Sequence, residues 1–233
     1  MLVSYSHKFV FLHIPKTGGS SMNAALEPYC PALHRTAWSQ LQRELGLPSI
    51  PEKTYLRSHD TYRHLERAFG RKMRDYFVFS TVRNPFSHAW SHYNHLKTSV
   101  KPVHAARFPT MPFNDFLRLR LTRKGAWRDD SFVRLTDQVA FLSNRSGKVA
   151  VKGVIYLESI EEDLATMCEK LGLDEIRMPK LNRRMTKSDA AAAFEDGVSI
   201  DLVKKLYARD FDVWGYSRDP SDITAPPRTR FTA

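Results

Sequence analysis

The run FVFLHIPKTGGSSMNAAL, residues 9 to 26, constrains the fold of this chain more than any other segment. Phe9 to Leu12 is a short apolar run suited to a buried strand. A Pro-Lys-Thr-Gly-Gly-Ser-Ser turn follows, and Met22 to Leu26 is compatible with a helix. Buried strand, glycine turn and helix, in that order, make a cradle for phosphate. The helix N-terminus offers unpaired N–H groups and a partial positive charge, and glycines let the anion approach the backbone. Lys16 adds a full charge, and Thr17, Ser20 and Ser21 add hydroxyl donors. This is not a Walker A loop, G-x-x-x-x-G-K-[ST], in which the lysine follows the glycines. Here Lys16 precedes Gly18 and Gly19. The same residues also fit an ordinary strand–turn–helix corner.

Further apolar runs predict strands at Lys8–Ile14, Thr54–Arg57, Tyr76–Val82 and Gly153–Leu157. Helical patterning is expected over Ser20–Leu26, Trp38–Leu45, Thr61–Phe69, Phe86–Leu96, Phe113–Leu121, Ile160–Leu171 and Ile200–Tyr207. Strands alternating with helices predict an α/β fold whose mainly parallel sheet is covered on both faces. Ligands of such sheets gather beyond the carboxyl ends of the strands. Segments 97–112 and 177–188 read as long surface loops, and the Pro-, Asp-, Arg- and Thr-rich residues 218–233 as a poorly structured tail. At 233 residues, one domain is the economical reading.

A net charge of +11 points to anionic partners: nucleotides, nucleic acid, acidic glycans or a membrane surface. No run approaches the roughly 18 apolar residues of a membrane span, and the N-terminus lacks a signal-peptide layout. Cys30 and Cys168 match no metal spacing, and two free thiols suit a reducing compartment, although one disulfide stays open. A cytoplasmic protein is the expectation.

A second anion site follows Tyr76–Val82. Arg83-Asn84-Pro85 stands at the carboxyl end of that strand, and Pro85 suits the first turn of the next helix. Arginine forms a planar bidentate fork to phosphate, and Ser91, two turns into the helix, could complete a cradle. Taken singly, Arg83 equally fits a capping or ion-paired role. Two such clusters suit a nucleotide phosphorylated on both sides of its ribose.

At these residues the chain resembles the sulfotransferases that use 3′-phosphoadenosine-5′-phosphosulfate, especially the carbohydrate type that includes heparan sulfate 2-O-sulfotransferase. That family shows an HIPKTGG[ST]S-like first loop and a later F-x-[ST]-V-R-N-P-x-x-[RH]-x-x-S-x-Y segment. This chain reads FLHIPKTGGSS and FSTVRNPFSHAWSHY, with His88 where many members have arginine. Softer similarity runs through Gln138, Ile155 to Glu158, Asp163-Leu164 and Tyr207 to Phe211, ending at Gly215-Tyr216. The resemblance implies a P-loop-like α/β fold, a single-domain three-layer sandwich, with residues 1–217 as the sulfotransferase domain. It implies that Lys16, Thr17, Gly18, Gly19, Ser20 and Ser21 hold the 5′-phosphosulfate, and that Arg83 and Ser91 hold the 3′-phosphate. No metal is expected, since protein cations and backbone dipoles can meet the charge.

Sulfuryl transfer to a hydroxyl builds negative charge on the leaving phosphate oxygen, a task for Lys16. The acceptor hydroxyl needs a base, and a histidine is matched to that task. His59 stands at the expected end of Thr54–Arg57; the carbohydrate sulfotransferases carry a histidine base in a similar position, often as Gly-His, where this chain has Ser58. A structural His59, with His64 as its rival, is the competing reading. His88, His92 and His95 share one helix face, more in keeping with a half-buried face than with a metal site. Arg118, Arg120, Arg123, Lys124 and Arg128, with Trp127, read either as an acceptor groove or as a solvated face. Lys180, Arg183, Arg184 and Lys187 form a second basic loop. The expected acceptor is a hydroxyl of a carbohydrate or other small molecule, an anionic glycan among the candidates. The competing functions are a P-loop nucleotide kinase or hydrolase, disfavoured by the lysine's place and the want of a strand-end Mg²⁺ aspartate, and a basic nucleic-acid-binding protein, which lacks a recognised module.

Overall fold

A computed structural model describes residues 1–31, 36–47, 53, 55–99, 108–122, 137–174, 176, 189, 192–227 and 230–231. In chain order its elements are β1 (Leu2–Ser4), β2 (Phe9–Leu12), α1 (Gly19–Leu26), α2 (Ala37–Leu45), α3 (Tyr62–Phe69), β3 (Phe77–Val82), α4 (Pro85–Lys97) and α5 (Phe113–Thr122). They continue with α6 (Gln138–Leu142), β4 (Gly153–Tyr156), α7 (Ile160–Leu171), α8 (Gly197–Leu206) and α9 (Ala208–Trp214). The chain divides into two compact units, one built on Met1–Val82 and Ala140–Asn182, the other on Arg83–Val139 and Arg183–Phe231.

The first unit holds the sheet. Among the described residues four strands pair in the order β1-β2-β3-β4, with β1 antiparallel to β2 and the other two pairings parallel. Side chains alternate between the faces. Phe9, Phe11, Phe79 and Ile155 point to one side, where Met22 and Leu26 of α1 and Ile160, Leu164 and Met167 of α7 complete a core. Val10, Leu12, Val78 and Val82 point to the other and are equally buried. Burial on both faces is why these strands read as nearly continuous apolar runs.

The expected strand over Thr54–Arg57 is not formed: residues 55–57 join no ladder, and Thr54 lies outside the described residues. The place beside β2 is taken instead by β1, whose Leu2, Val3 and Ser4 pair with Phe11, Val10 and Phe9. Cys30 and Cys168 are buried free thiols in the core of this unit.

The second unit is helical. Helix α4 begins at Pro85, and the Asn84 side chain caps it by accepting from the Phe86 N–H (3.0 Å). Helices α4, α5 and α8 pack on one another, with Phe86 edge-on to Phe194 and His92 edge-on to Phe116. Helix α8 starts earlier than its apolar pattern indicates, because Asp196 accepts from the Ser199 N–H (2.9 Å) and opens the helix at Gly197. Past residue 217, Pro220–Asp222 forms a 3₁₀ turn, Ile223 is buried and Phe231 stacks edge-on against Trp214.

Candidate active site

The chain leaves β2 through His13-Ile14-Pro15 and turns sharply at Lys16, whose φ of 68° is left-handed. Gly18 is left-handed too (φ 84°) and serves as N-cap of α1. That helix end carries no side-chain cap and no acidic residue in its first turn. Its amide groups and dipole are thus the kind that favour an anion. Gly19 lets the His13 ring pack against the start of the helix, since a Cβ there would fall 1.9 Å from that ring. Ser20 is exposed and Ser21 buried in the first turn.

Thr17 has a different task from the one its hydroxyl suggests. It is fully buried, and its hydroxyl donates to the Ile14 carbonyl (2.8 Å). With that hydrogen used, the Thr81 hydroxyl donates to Thr17 (2.8 Å), latching the loop onto β3. What Thr17 has left for a ligand is its backbone N–H.

His59 lies in the turn at 58–59 rather than at a strand end. The turn is held by Asp60, which accepts from the Arg57 N–H (2.8 Å) and both guanidinium nitrogens of Arg43 (2.5 and 2.6 Å). The His59 Nδ1 donates to the carbonyl of His13 (3.2 Å). A carbonyl can only accept, so the neutral imidazole carries its proton on Nδ1 and its lone pair on Nε2. Burial pushes the His59 pKa below 6.5, against the raising effect of that hydrogen bond. It is therefore neutral at neutral pH, the state a general base requires.

His13 itself was not singled out by sequence. Its ring packs against His59 (centroids 4.7 Å apart), and Asn23 donates to its Nδ1 (3.4 Å). Burial, then the nearby His59 and Lys16 charges among others, lowers its pKa to about 3. The signal available in the sequence was its place at the joint between strand and loop.

In the second unit, Arg83 is buried, and its Nε donates to Ser87 (2.8 Å). Ser87 and Ser91 are one turn apart on α4 and so share a face, and it is Ser87 that accepts from the Arg83 Nε. The backbone of Arg83 is clamped by Gln138, whose Oε1 accepts from its N–H (2.9 Å) and whose Nε2 donates to its carbonyl (2.8 Å). Asp210 holds the clamp in turn, accepting from the Gln138 N–H (2.9 Å), the Gln138 Nε2 (3.1 Å) and the Val139 N–H (2.8 Å). Burial and the Asp137 charge raise the Asp210 pKa to about 7.

The basic stretch expected at an acceptor groove divides. Arg120 is buried under Phe116 and Tyr207 and donates to the Tyr207 hydroxyl, which passes its own hydrogen to His88 Nδ1 (3.0 Å). It serves the core of this unit and is no solvated residue. Arg118 is exposed and pairs with Asp115 (3.0 Å). Arg123, Lys124, Trp127 and Arg128 lie outside the described residues, as do Lys180, Arg183, Arg184 and Lys187. His88 and His92 are both buried, and no cluster of three metal-ligating side chains occurs among the described residues. Nor, among them, is any helix long and apolar enough to cross a membrane.

Comparison with curated proteins returns no match. Among solved structures, a sulfotransferase from Alicyclobacillus acidocaldarius aligns at 16% identity over 89% of this chain and 98% of that one, with a TM-score of 0.44. The profile of the Sulfotransferase family matches residues 1–217, spanning the strand–loop–helix at Lys16, the His59 turn and the Arg83 clamp, and the chain belongs to that family.

Proposed function

We propose that this protein transfers a sulfuryl group from 3′-phosphoadenosine-5′-phosphosulfate to a hydroxyl of a carbohydrate or other small acceptor. The observation that carries the reading is the bond from His59 Nδ1 to the His13 carbonyl. It ties a neutral, correctly protonated base to the first residue of the loop that would hold the donor.

In this reading Lys16, the N–H groups of Thr17, Gly18 and Gly19, and Ser20 and Ser21 hold the 5′-phosphosulfate. Arg83 and Ser91 hold the 3′-phosphate. The uncapped end of α1, with no acidic residue in its first turn, suits an anion of that kind. The donor supplies an activated S–O bond. His59 Nε2 takes the proton of the acceptor hydroxyl as its oxygen bonds to sulfur, the bond from sulfur to the bridging phosphate oxygen breaks, and Lys16 stabilises the charge left on that oxygen.

The test is nucleotide binding followed by single-turnover transfer. Without Mg²⁺, 3′-phosphoadenosine 5′-phosphate should bind far better than ATP and better than its 3′-hydroxyl analogue; equal affinities would overturn the donor assignment. His59→Ala should keep that affinity and slow transfer by about 10² to 10⁴. The wild-type rate should hold through neutral pH and fall on the acid side only below 6.5, where the imidazole becomes protonated. The variant should lose that limb. A variant with a lower melting temperature but unchanged turnover per folded molecule would instead make His59 structural.

A further inference from the structure

His13 joins β2 to the Lys16 loop and is only 8% exposed. A polar ring taken out of water needs hydrogen-bond partners in exchange. Its Nδ1 has one, accepting from the Asn23 side chain on α1 (3.4 Å). In the neutral ring Nε2 then carries the hydrogen. No acceptor among the described residues takes that hydrogen.

The Nε2 edge of the ring lies at the start of α1. A Cβ on Gly19 would fall 1.9 Å from both Nε2 and Cδ2 of His13. Helical Cα–Cβ bonds tilt towards the N-terminus, so that edge occupies the N-terminal side of the first residue of the helix. With a carbon–carbon bond of about 1.5 Å, Nε2 is within about 3.4 Å of the Gly19 Cα. The amides of Gly19, Ser20 and Ser21 point to the same end, which has neither a side-chain cap nor an acidic first turn. A nine-tenths-buried N–H without an acceptor thus meets a helix end without a cap, and one oxyanion satisfies both. Burial above all lowers the His13 pKa to about 3, so the ring meets that anion as a neutral donor rather than as a cation.

We propose that the His13 side chain is a further ligand of the anion at the start of α1, its Nε2–H donating to an oxygen of the donor's 5′-phosphate while Asn23 holds the tautomer that makes this bond. This rests on the sulfuryl-transfer reading above. His13 then has two separate tasks: its carbonyl orients His59, and its ring binds the donor. Asn23 acts through His13 and is a positioning residue.

The test uses the full chain with ¹⁵N-labelled histidine, and three probes: 3′-phosphoadenosine 5′-phosphate, adenosine 3′-phosphate and inorganic sulfate. In wild type at neutral pH the His13 ring, assigned by its loss in His13→Gln, should carry its hydrogen on Nε2. That N–H resonance should shift, and its exchange with water slow, when 3′-phosphoadenosine 5′-phosphate is added, but not with adenosine 3′-phosphate. A ring protonated on Nδ1, or a resonance that no probe moves, overturns the proposal without recourse to a variant. By calorimetry, His13→Phe should weaken 3′-phosphoadenosine 5′-phosphate about tenfold or more, the worth of a hydrogen bond to a charged group, and leave adenosine 3′-phosphate nearly unchanged. His13→Gln, which returns an amide N–H near the place of Nε2, should recover most of that loss. Equal losses for the two nucleotides, or no recovery with glutamine, would make the ring structural and overturn the ligand role. Inorganic sulfate moving the resonance in a chain that binds neither nucleotide would overturn the donor reading alone, and nucleotide binding that leaves the resonance unmoved would overturn the His13 ligand alone.

Discussion

Lys16 joins a left-handed backbone to the charge that the proposed reaction calls for. Its left-handed φ of 68° costs a side-chain-bearing residue on the order of 1 kcal/mol that glycine would not incur, yet the position holds a lysine. Two substitutions test the backbone conformation and the proposed charge role separately. Lys16→Ala and Lys16→Gly should both reduce turnover by a hundredfold or more, the effect of losing about 3 kcal/mol of transition-state stabilisation. The glycine variant should nevertheless be the more stable of the two by about 1 kcal/mol in chemical denaturation. Equal stability would mean that the turn relaxes around alanine, and near-normal turnover in either would remove Lys16 from the chemistry.

Among the elements, those with a local signal were legible. Phe9–Leu12 and Tyr76–Val82 announced buried strands by apolar content alone, and the Pro85 start of α4 followed from N1 chemistry. What could not be read was set by distant partners. The three-residue β1 exists only because β2 offers it an edge, and Thr54–Arg57 lost that edge for the same reason. Arg120 read as a surface charge because its partner, Tyr207, is 87 positions away. Gln138 was visible only as a soft match, its role depending on Arg83 and Asp210. That clamp predicts a defined phenotype. Gln138→Leu should weaken binding of 3′-phosphoadenosine 5′-phosphate at least tenfold while barely changing affinity for the 3′-hydroxyl analogue, because it frees the backbone beside Arg83. Equal losses for both nucleotides would mean general unfolding of the unit instead.

Over the whole molecule, the two units carry buried groups with opposite responses to acid. The His13 pKa falls from 6.5 to about 3 on folding, so its contribution is complete above pH 6.5 and is lost as pH drops towards 3. That of Asp210 rises from 3.8 to about 7, so its contribution is complete below pH 3.8 and is lost as pH rises through 7. Between pH 6.5 and 5, therefore, amide hydrogen exchange should quicken around β2 and α1 relative to α4 and α9, once rates are corrected for intrinsic pH dependence. The same direction of change in both units would contradict the assignment.

The parallel pairing of β2 with β3 sets Leu12 beside Ser80, leaving Thr81 and Val82 to run on by two residues, roughly 6.6 Å. The sheet edge is therefore stepped, and the loop after β2 folds into the recess beside β3, where Thr17 meets Thr81. A slip of one residue would turn every phenylalanine to the wrong face, but a slip of two would keep them all on the right one. Burial of greasy rings discriminates poorly against that second error. The hydroxyl pair between Thr17 and Thr81, with the Ser80 hydroxyl on the Leu12 carbonyl (2.6 Å), forms in a single alignment. The latch that shapes the loop thus also proofreads the register of the strands beneath it.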